Sequence, residues 1–189
     1  VRSPGLPVSQ NCLDCVDLTY PEIVESVHLD YLLAGANMIQ TNTFGANRFK
    51  LAAQGMEENL EEINAAAVKI ARRAVSRSNL PAWVAGDIGP LGVRLAPFGR
   101  VQLPEAREAF ARQISALVNA GVDLIIIETV TDLYEMVEAI AAAREVANEI
   151  PVIASVSYTR DNRTLLGDPP AKVARRLQQA GADVIGVNC

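Results

Sequence analysis

Ala120-Gly121-Val122-Asp123-Leu124-Ile125-Ile126-Ile127-Glu128 is the stretch whose reading decides the fold. It recurs in two variants, Ala34-Gly35-Ala36-Asn37-Met38-Ile39-Gln40-Thr41-Asn42 and Ala180-Gly181-Ala182-Asp183-Val184-Ile185-Gly186-Val187-Asn188-Cys189. Each reads as a helix closed by Ala-Gly, a tight turn, and an apolar strand that stops at polar groups. Glycine takes the left-handed conformation that ends a helix without a Cβ clash. The apolar run is too uniform for a strand with one wet face and suits a strand buried on both faces. Thr41-Asn42, Glu128 and Asn188-Cys189 therefore stand at carboxyl ends of buried strands, where an α/β barrel keeps its functional groups.

Outward from these phrases, helices and strands alternate. Thr19-Tyr20-Pro21-Glu22 has the form of a capping box and opens a helix to about Ala34, with Ile23, Val24, Val27, Tyr31 and Leu32 on its apolar face. A strand follows at Met38–Thr41. Asn59 with Glu62 repeats the cap logic ahead of a helix whose buried side is Leu60, Ile63, Ala67, Ile70 and Ala74. Strands are predicted at Trp83–Ile88, Leu124–Ile127, Pro151–Ser157 and Val184–Val187. Helices run from Pro104 to Gly121, from a cap at Asp132, and from Asp168-Pro169 to Ala180. Strict alternation predicts an α/β fold with a parallel sheet and right-handed crossovers. Five strands fall short of the eight of a (β/α)8 TIM barrel, which needs about 250 residues. The reading is one partial barrel domain over 1–189, holding strands two to six. The loops after strand ends are long at Asn42–Glu58 and Gly89–Leu103, which places the functional rim there.

The 189 residues are half apolar and about one-fifth charged (21%), an ordinary globular balance, with a formal charge of −5. That charge offers no footprint for nucleic acid or an anionic membrane surface. Arg72, Arg73 and Arg77 form the local basic cluster and read as the solvated last turns of a helix. Val1-Arg2-Ser3-Pro4-Gly5 lacks a signal-peptide core, no run is long enough to span a bilayer, and the cytoplasm is the expected compartment. Three cysteines in such a chain argue against a disulfide framework.

Glu128 is the sharpest candidate, a carboxylate able to hold an ammonium group or act as a base, or else one satisfied by backbone N–H groups. Cys189 is either a soft-metal ligand and nucleophile or a small buried hydrophobe. Asn188 points to the opposite face and is expected to bond backbone. Thr41-Asn42-Thr43-Phe44-Gly45-Ala46-Asn47 can cradle a carboxylate with its N–H groups, or simply cap a short helix at Ala46–Leu51. Cys12 and Cys15 form a Cys-x-x-Cys without the context of a zinc ribbon or thioredoxin site, and His28 reads as a partly exposed helical residue. Asp87-Ile88-Gly89-Pro90-Leu91-Gly92 fixes an unusual backbone path at the rim but is not a nucleotide fingerprint.

Thr41-Asn42-Thr43-Phe44-Gly45-Ala46-Asn47-Arg48, Gly89-Pro90-Leu91-Gly92, Glu128-Thr129 with Asp132-Leu133, and Gly186-Val187-Asn188-Cys189 occur in the order and spacing of the homocysteine S-methyltransferase family. The chain resembles that family from about Thr19 to Cys189. The resemblance implies zinc-dependent methyl transfer to homocysteine, giving methionine. Cys189 matches a zinc ligand, and Glu128 matches the glutamate that binds the homocysteine amino group. Asn42 and Thr43 fall in the substrate loop, and no catalytic residue is assigned. Cys12 and Cys15 match no family ligand. The family's Cys-Cys pair and first-strand Asp-Gly-x-Met-Gly-Thr segment have no counterpart here, so the segment alone is expected to be inactive. The methyl donor is not specified; in some branches cobalamin or methyltetrahydrofolate enters through fused or partner modules. The alternatives are a degenerate barrel module that only folds or binds, and an unrelated barrel enzyme such as an aldolase. The latter wants a strand-end lysine, which the sequence lacks.

Overall fold

The computed structural model describes residues 12–189. The reading of Val1–Gly5 lies outside them. Five strands, β1 (Met38–Gln40), β2 (Trp83–Ile88), β3 (Leu124–Val130), β4 (Val152–Val156) and β5 (Val184–Val187), form one sheet in the order β1-β2-β3-β4-β5. Every neighbouring pair is parallel. Strand order that follows chain order, with no reversal, is the arrangement of a β/α barrel rather than of a doubly wound sheet. The helices are α1 (Val16–Thr19), α2 (Pro21–Leu33), α3 (Arg48–Ala52), α4 (Leu60–Ser78), α5 (Leu103–Ala120), α6 (Leu133–Val146) and α7 (Pro170–Ala180). None is long and apolar enough, among the described residues, to cross a membrane.

The core lies between sheet and helices. Ile125 and Ile127 of β3 pack with Phe110, Ile114 and Leu117 of α5 and with Met136 and Ile140 of α6, all fully buried. On β1 and β2, Ile39 and Val84 meet Leu32 of α2 and Ala71 and Ala74 of α4. Side chains alternate across a strand, so Gln40, Asp87 and Glu128 share the opposite face. The predicted inner side of α4 is as expected, with Leu60, Ile63, Ala67, Ile70 and Ala74 at 2% exposure or less.

Two of the repeated turns are fastened alike. Asp123 accepts the N–H of Val84 and pairs with Arg72 of α4, which also donates to the Gly121 carbonyl. Asp183 accepts the N–H of Val152 and pairs with Arg144 of α6, which also donates to the Gly181 carbonyl. Each aspartate thus ties the strand that follows it to its neighbour and to a helix, all at the amino ends of the strands. Arg72 is therefore no solvated end group. Arg73 and Arg77 are exposed as expected, yet both pair with Glu25 of α2, a carboxylate buried against α4.

The start of α2 also departs from expectation. Thr19 ends α1 and its hydroxyl donates to the Cys15 carbonyl, so it caps nothing; Tyr20 is the N-cap, without a side-chain bond. Tyr31 is exposed, while Val24, Glu25, His28 and Leu32 form the buried side, because α2 packs on α4 through Glu25 as well as on β1. Asn59 makes no cap to backbone either; its side chain donates to Glu62.

Gly121 sits at φ +96° with open space around the position of a Cβ, so a side chain there meets only backbone strain. Gly121→Ala is expected to lower stability by about 1–2 kcal/mol, read as a lower urea midpoint at unchanged m-value.

Candidate functional site

The carboxyl ends of the strands carry the candidate groups. In the β2–β3 register Asp87 lies opposite Ile126, and Glu128, two residues on, shares its face one step nearer the rim. β3 continues past the predicted end at Ile127 to Val130, with an irregularity between Ile127 and Val130. Thr129 lies within it at φ +60°, a costly conformation for a β-branched residue. Such bulges re-aim side chains next to functional sites.

Asn188 holds this irregularity. Its Nδ2 donates to Glu128 Oε2 at 3.0 Å and to Thr129 Oγ1 at 2.7 Å, and its Oδ1 accepts the Thr129 N–H at 3.1 Å. Asn188 thus bonds backbone as expected, at the Thr129 N–H, and two side chains besides. Its side chain bridges the ends of β3 and β5, and Ser157 secures its carbonyl. Cys189 follows directly, an exposed free thiol with Sγ 3.9 Å from Thr129 Oγ1. Glu128 and Cys189 therefore belong to one hydrogen-bonded unit.

The loop after β1 folds inward. Thr43 is fully buried; its hydroxyl donates to the Asp87 carbonyl and lies 2.7 Å from the Thr41 hydroxyl, whose oxygen accepts the Asp87 N–H. Thr43 thus fixes the height of Asp87. Asn42 donates to the Leu13 carbonyl and to Asp17. Asn47 caps α3, accepting from the N–H groups of Phe49 and Lys50, so the loop does end in the short helix that its sequence allows.

The segment before α1 supports this loop. Asp14 accepts the Gly45 N–H at 2.8 Å, and a Cβ on Gly45 would lie 2.5 Å from the Asp14 carboxylate, so a side chain there would displace that carboxylate. Cys12 and Cys15 are joined in a disulfide, against the expectation from the cysteine count. The bridge spans three residues and braces the turn that presents Leu13 and Asp14. Nothing in the sequence distinguished it from a pair of loop thiols.

The electrostatics are those of a crowded, poorly solvated acidic rim. Burial pushes Asp17 up to about 8, with Asp14 adding to the rise and Asn42 opposing it. Burial likewise raises Glu135 to about 7, although its carboxylate accepts the Leu91 N–H. Lys50 lies 4.5 Å over the Phe44 ring; burial lowers its proton affinity, while Asp14, Glu135 and Asp87 work against that. His28 is buried rather than partly exposed, and burial drives it down to about 4, so it is neutral. A groove of about 510 Å³ between α2 and β1 is lined by His28, Gln40, Thr41, Asn42 and Asp87 among others.

Cys189 has donor chemistry suited to zinc, but one thiolate does not hold the ion. Among the described residues no group of three His, Cys, Asp or Glu gathers that could. The fit is therefore to one ligand of a set. Sequence reasoning missed Asp87, although an acid at the end of an apolar strand is the same signal that marked Glu128.

The Homocysteine S-methyltransferase family model matches residues 4–189. Methionine synthase of Mycobacterium tuberculosis is 28% identical over 187 residues, covering 95% of this chain and 16% of that protein. The homocysteine methyltransferase MmuM of Escherichia coli, in its metallated form, is 26% identical with a TM-score of 0.81, over 98% of this chain and 69% of that one. Its oxidised form gives the same identity and TM-score. The chain thus spans about one-sixth of the curated relatives' length and about two-thirds of the solved methyltransferase.

Because the folded state keeps Asp17 protonated, its contribution to stability is full below the ordinary value of 3.8 and is lost as pH rises through about 8. Asp17→Asn is expected to flatten the fall in stability between pH 5 and pH 8 in urea titrations. Parallel profiles for the two proteins would remove Asp17 as the cause.

Proposed function

The chain belongs to the homocysteine S-methyltransferase family, and on that premise we propose that it forms the amino-acid-binding part of a zinc-dependent enzyme that methylates the thiol of homocysteine to give methionine. The observation that carries this reading is the Glu128–Asn188–Cys189 unit. It sets a carboxylate and a soft sulfur on one rim, matching the ammonium and thiol ends of a single small amino acid.

Each residue has a distinct part. Glu128 accepts the substrate ammonium in a charge-assisted hydrogen bond. Asn188 holds that carboxylate by Nδ2 and keeps Thr129 in its strained conformation, so the acceptor is oriented before substrate arrives. Cys189 would supply one thiolate of a zinc site. A zinc ion held there would lower the proton affinity of the substrate thiol, leaving its sulfur nucleophilic near neutral pH. Asn42 lines the groove and Thr43 sets the loop from which backbone N–H groups reach the substrate carboxylate. The methyl donor, with cobalamin or methyltetrahydrofolate where either serves, enters from outside this segment.

The test uses a polypeptide carrying this segment with the remainder of the barrel. Cys189→Ala is expected to lose stoichiometric zinc and methyl transfer together; full activity with zinc retained defeats the assignment. Glu128→Gln is expected to keep zinc and raise the KM for homocysteine by about tenfold or more. An unchanged KM removes its role toward the ammonium group.

A further inference from the structure

Asp87 is an acidic group at this rim, beside Glu128, to which nothing above assigns a role in binding. It is 6% exposed, and its Oδ1 is buried with no hydrogen-bond partner among the described residues. A carboxylate oxygen left in that state is costly unless something fills the vacancy. The backbone on both sides of the side chain is fixed, N–H to Thr41 Oγ1 and carbonyl to the Thr43 hydroxyl, so the residue is held in place on the buried face of β2. Register and alternation put it beside Glu128 on the face away from the helices, where the Glu128 carboxylate acts on it as a like-charged neighbour. Two carboxyls so placed in a poorly solvated site must share a proton or face a cation.

We propose that Asp87 stands with Glu128 as a second carboxylate of the receptor for the substrate's α-ammonium group. The inference rests on the homocysteine reading and extends it to a residue outside the motif resemblance. Without substrate, one proton lies between the two carboxyls. When the ammonium arrives it takes that place, the proton leaves to solvent, and both carboxylates are ionised. Charge balances, since a pair carrying one negative charge becomes a pair carrying two against one positive. No electron moves.

The surroundings favour this exchange. Burial first, then Glu128 and Asp14, push Asp87 up to about 8, while Lys50 of α3 opposes them. His28 lines the same groove and is neutral, so it cannot replace the ammonium as counter-charge. Lys50 stays over the Phe44 ring rather than bonded to the pair. The receptor is thus specific for a cation brought by the ligand. It selects an amino-acid thiol over a thiol of equal length without the amino group.

The experiment compares homocysteine with 4-mercaptobutanoate, the same molecule lacking its amino group, by calorimetry on the zinc-loaded full chain with the rest of its barrel. Titrations in two buffers of different ionisation enthalpy give the protons released. Thiol deprotonation is common to both ligands and cancels. At pH 7 homocysteine is expected to release about one proton more than its des-amino analogue. In Asp87→Asn that extra proton disappears and the preference for homocysteine over the analogue falls about tenfold, with zinc content unchanged. An equal proton count for both ligands in the wild-type chain overturns the inference, and so does an unchanged preference in Asp87→Asn. Failure of the wild-type chain to bind homocysteine overturns the homocysteine reading itself, a result distinct from either. The proton count needs no variant, so it stands even where a substitution harms folding.

Discussion

Parallel pairing in register is the constraint on which the rim depends, and it is set at the far end of the strands. Asp123 takes the Val84 N–H of β2, and Asp183 the Val152 N–H of β4. Each is held by an arginine that also binds the carbonyl of the preceding glycine. A slip of one residue would turn Asp87 and Glu128 toward the helices and bring Ile88 and Ile127 out. Such a bracket joins charge to backbone hydrogen bonding and is worth more than an exposed ion pair. The order at the rim is therefore inherited from the turns.

At the rim itself the decisive element is irregular. A regular β3 would carry Glu128 and Thr129 to opposite faces with no link to β5. The break after Ile127 puts Thr129 in a left-handed conformation that a β-branched residue takes only under compulsion. Asn188 supplies the compulsion with three hydrogen bonds across the end of β4. The strain is stored beside the groups proposed to meet substrate. Cys189, next in the chain, inherits its place from the same side chain.

Much of this was legible in sequence. β2 and β5 fall at their predicted residues, because a continuous apolar run between a turn and a polar group leaves little freedom of boundary. The glycine turns were legible for the same local reason. What escaped was set by tertiary contact. Thr19 looks like a cap by spacing, yet the short α1 ahead of it claims its hydroxyl. Arg73 and Arg77 are solvated as a helical wheel suggests, but the ion pairs that they and Arg72 make have partners distant in sequence. The direction of Asn188 follows from a bulge on another strand, and the Cys12–Cys15 bridge from a turn with no sequence mark of its own. The family resemblance named Glu128 and Cys189, while the packing between them lay beyond any motif.

The turn brackets carry one more implication. Asp123 is held below its usual proton affinity by Arg72 and the Val84 N–H in spite of its burial, and Asp183 by the Val152 N–H and Arg144. Carboxylates of this kind stabilise above their ordinary range and cease to do so as pH falls through the lowered values. The buried acids of the rim have the reverse preference. The molecule is thus chemically polarised from back to front. Acid loosens the strand origins while leaving the binding end intact, and alkali strains the binding end while the strand origins stay locked.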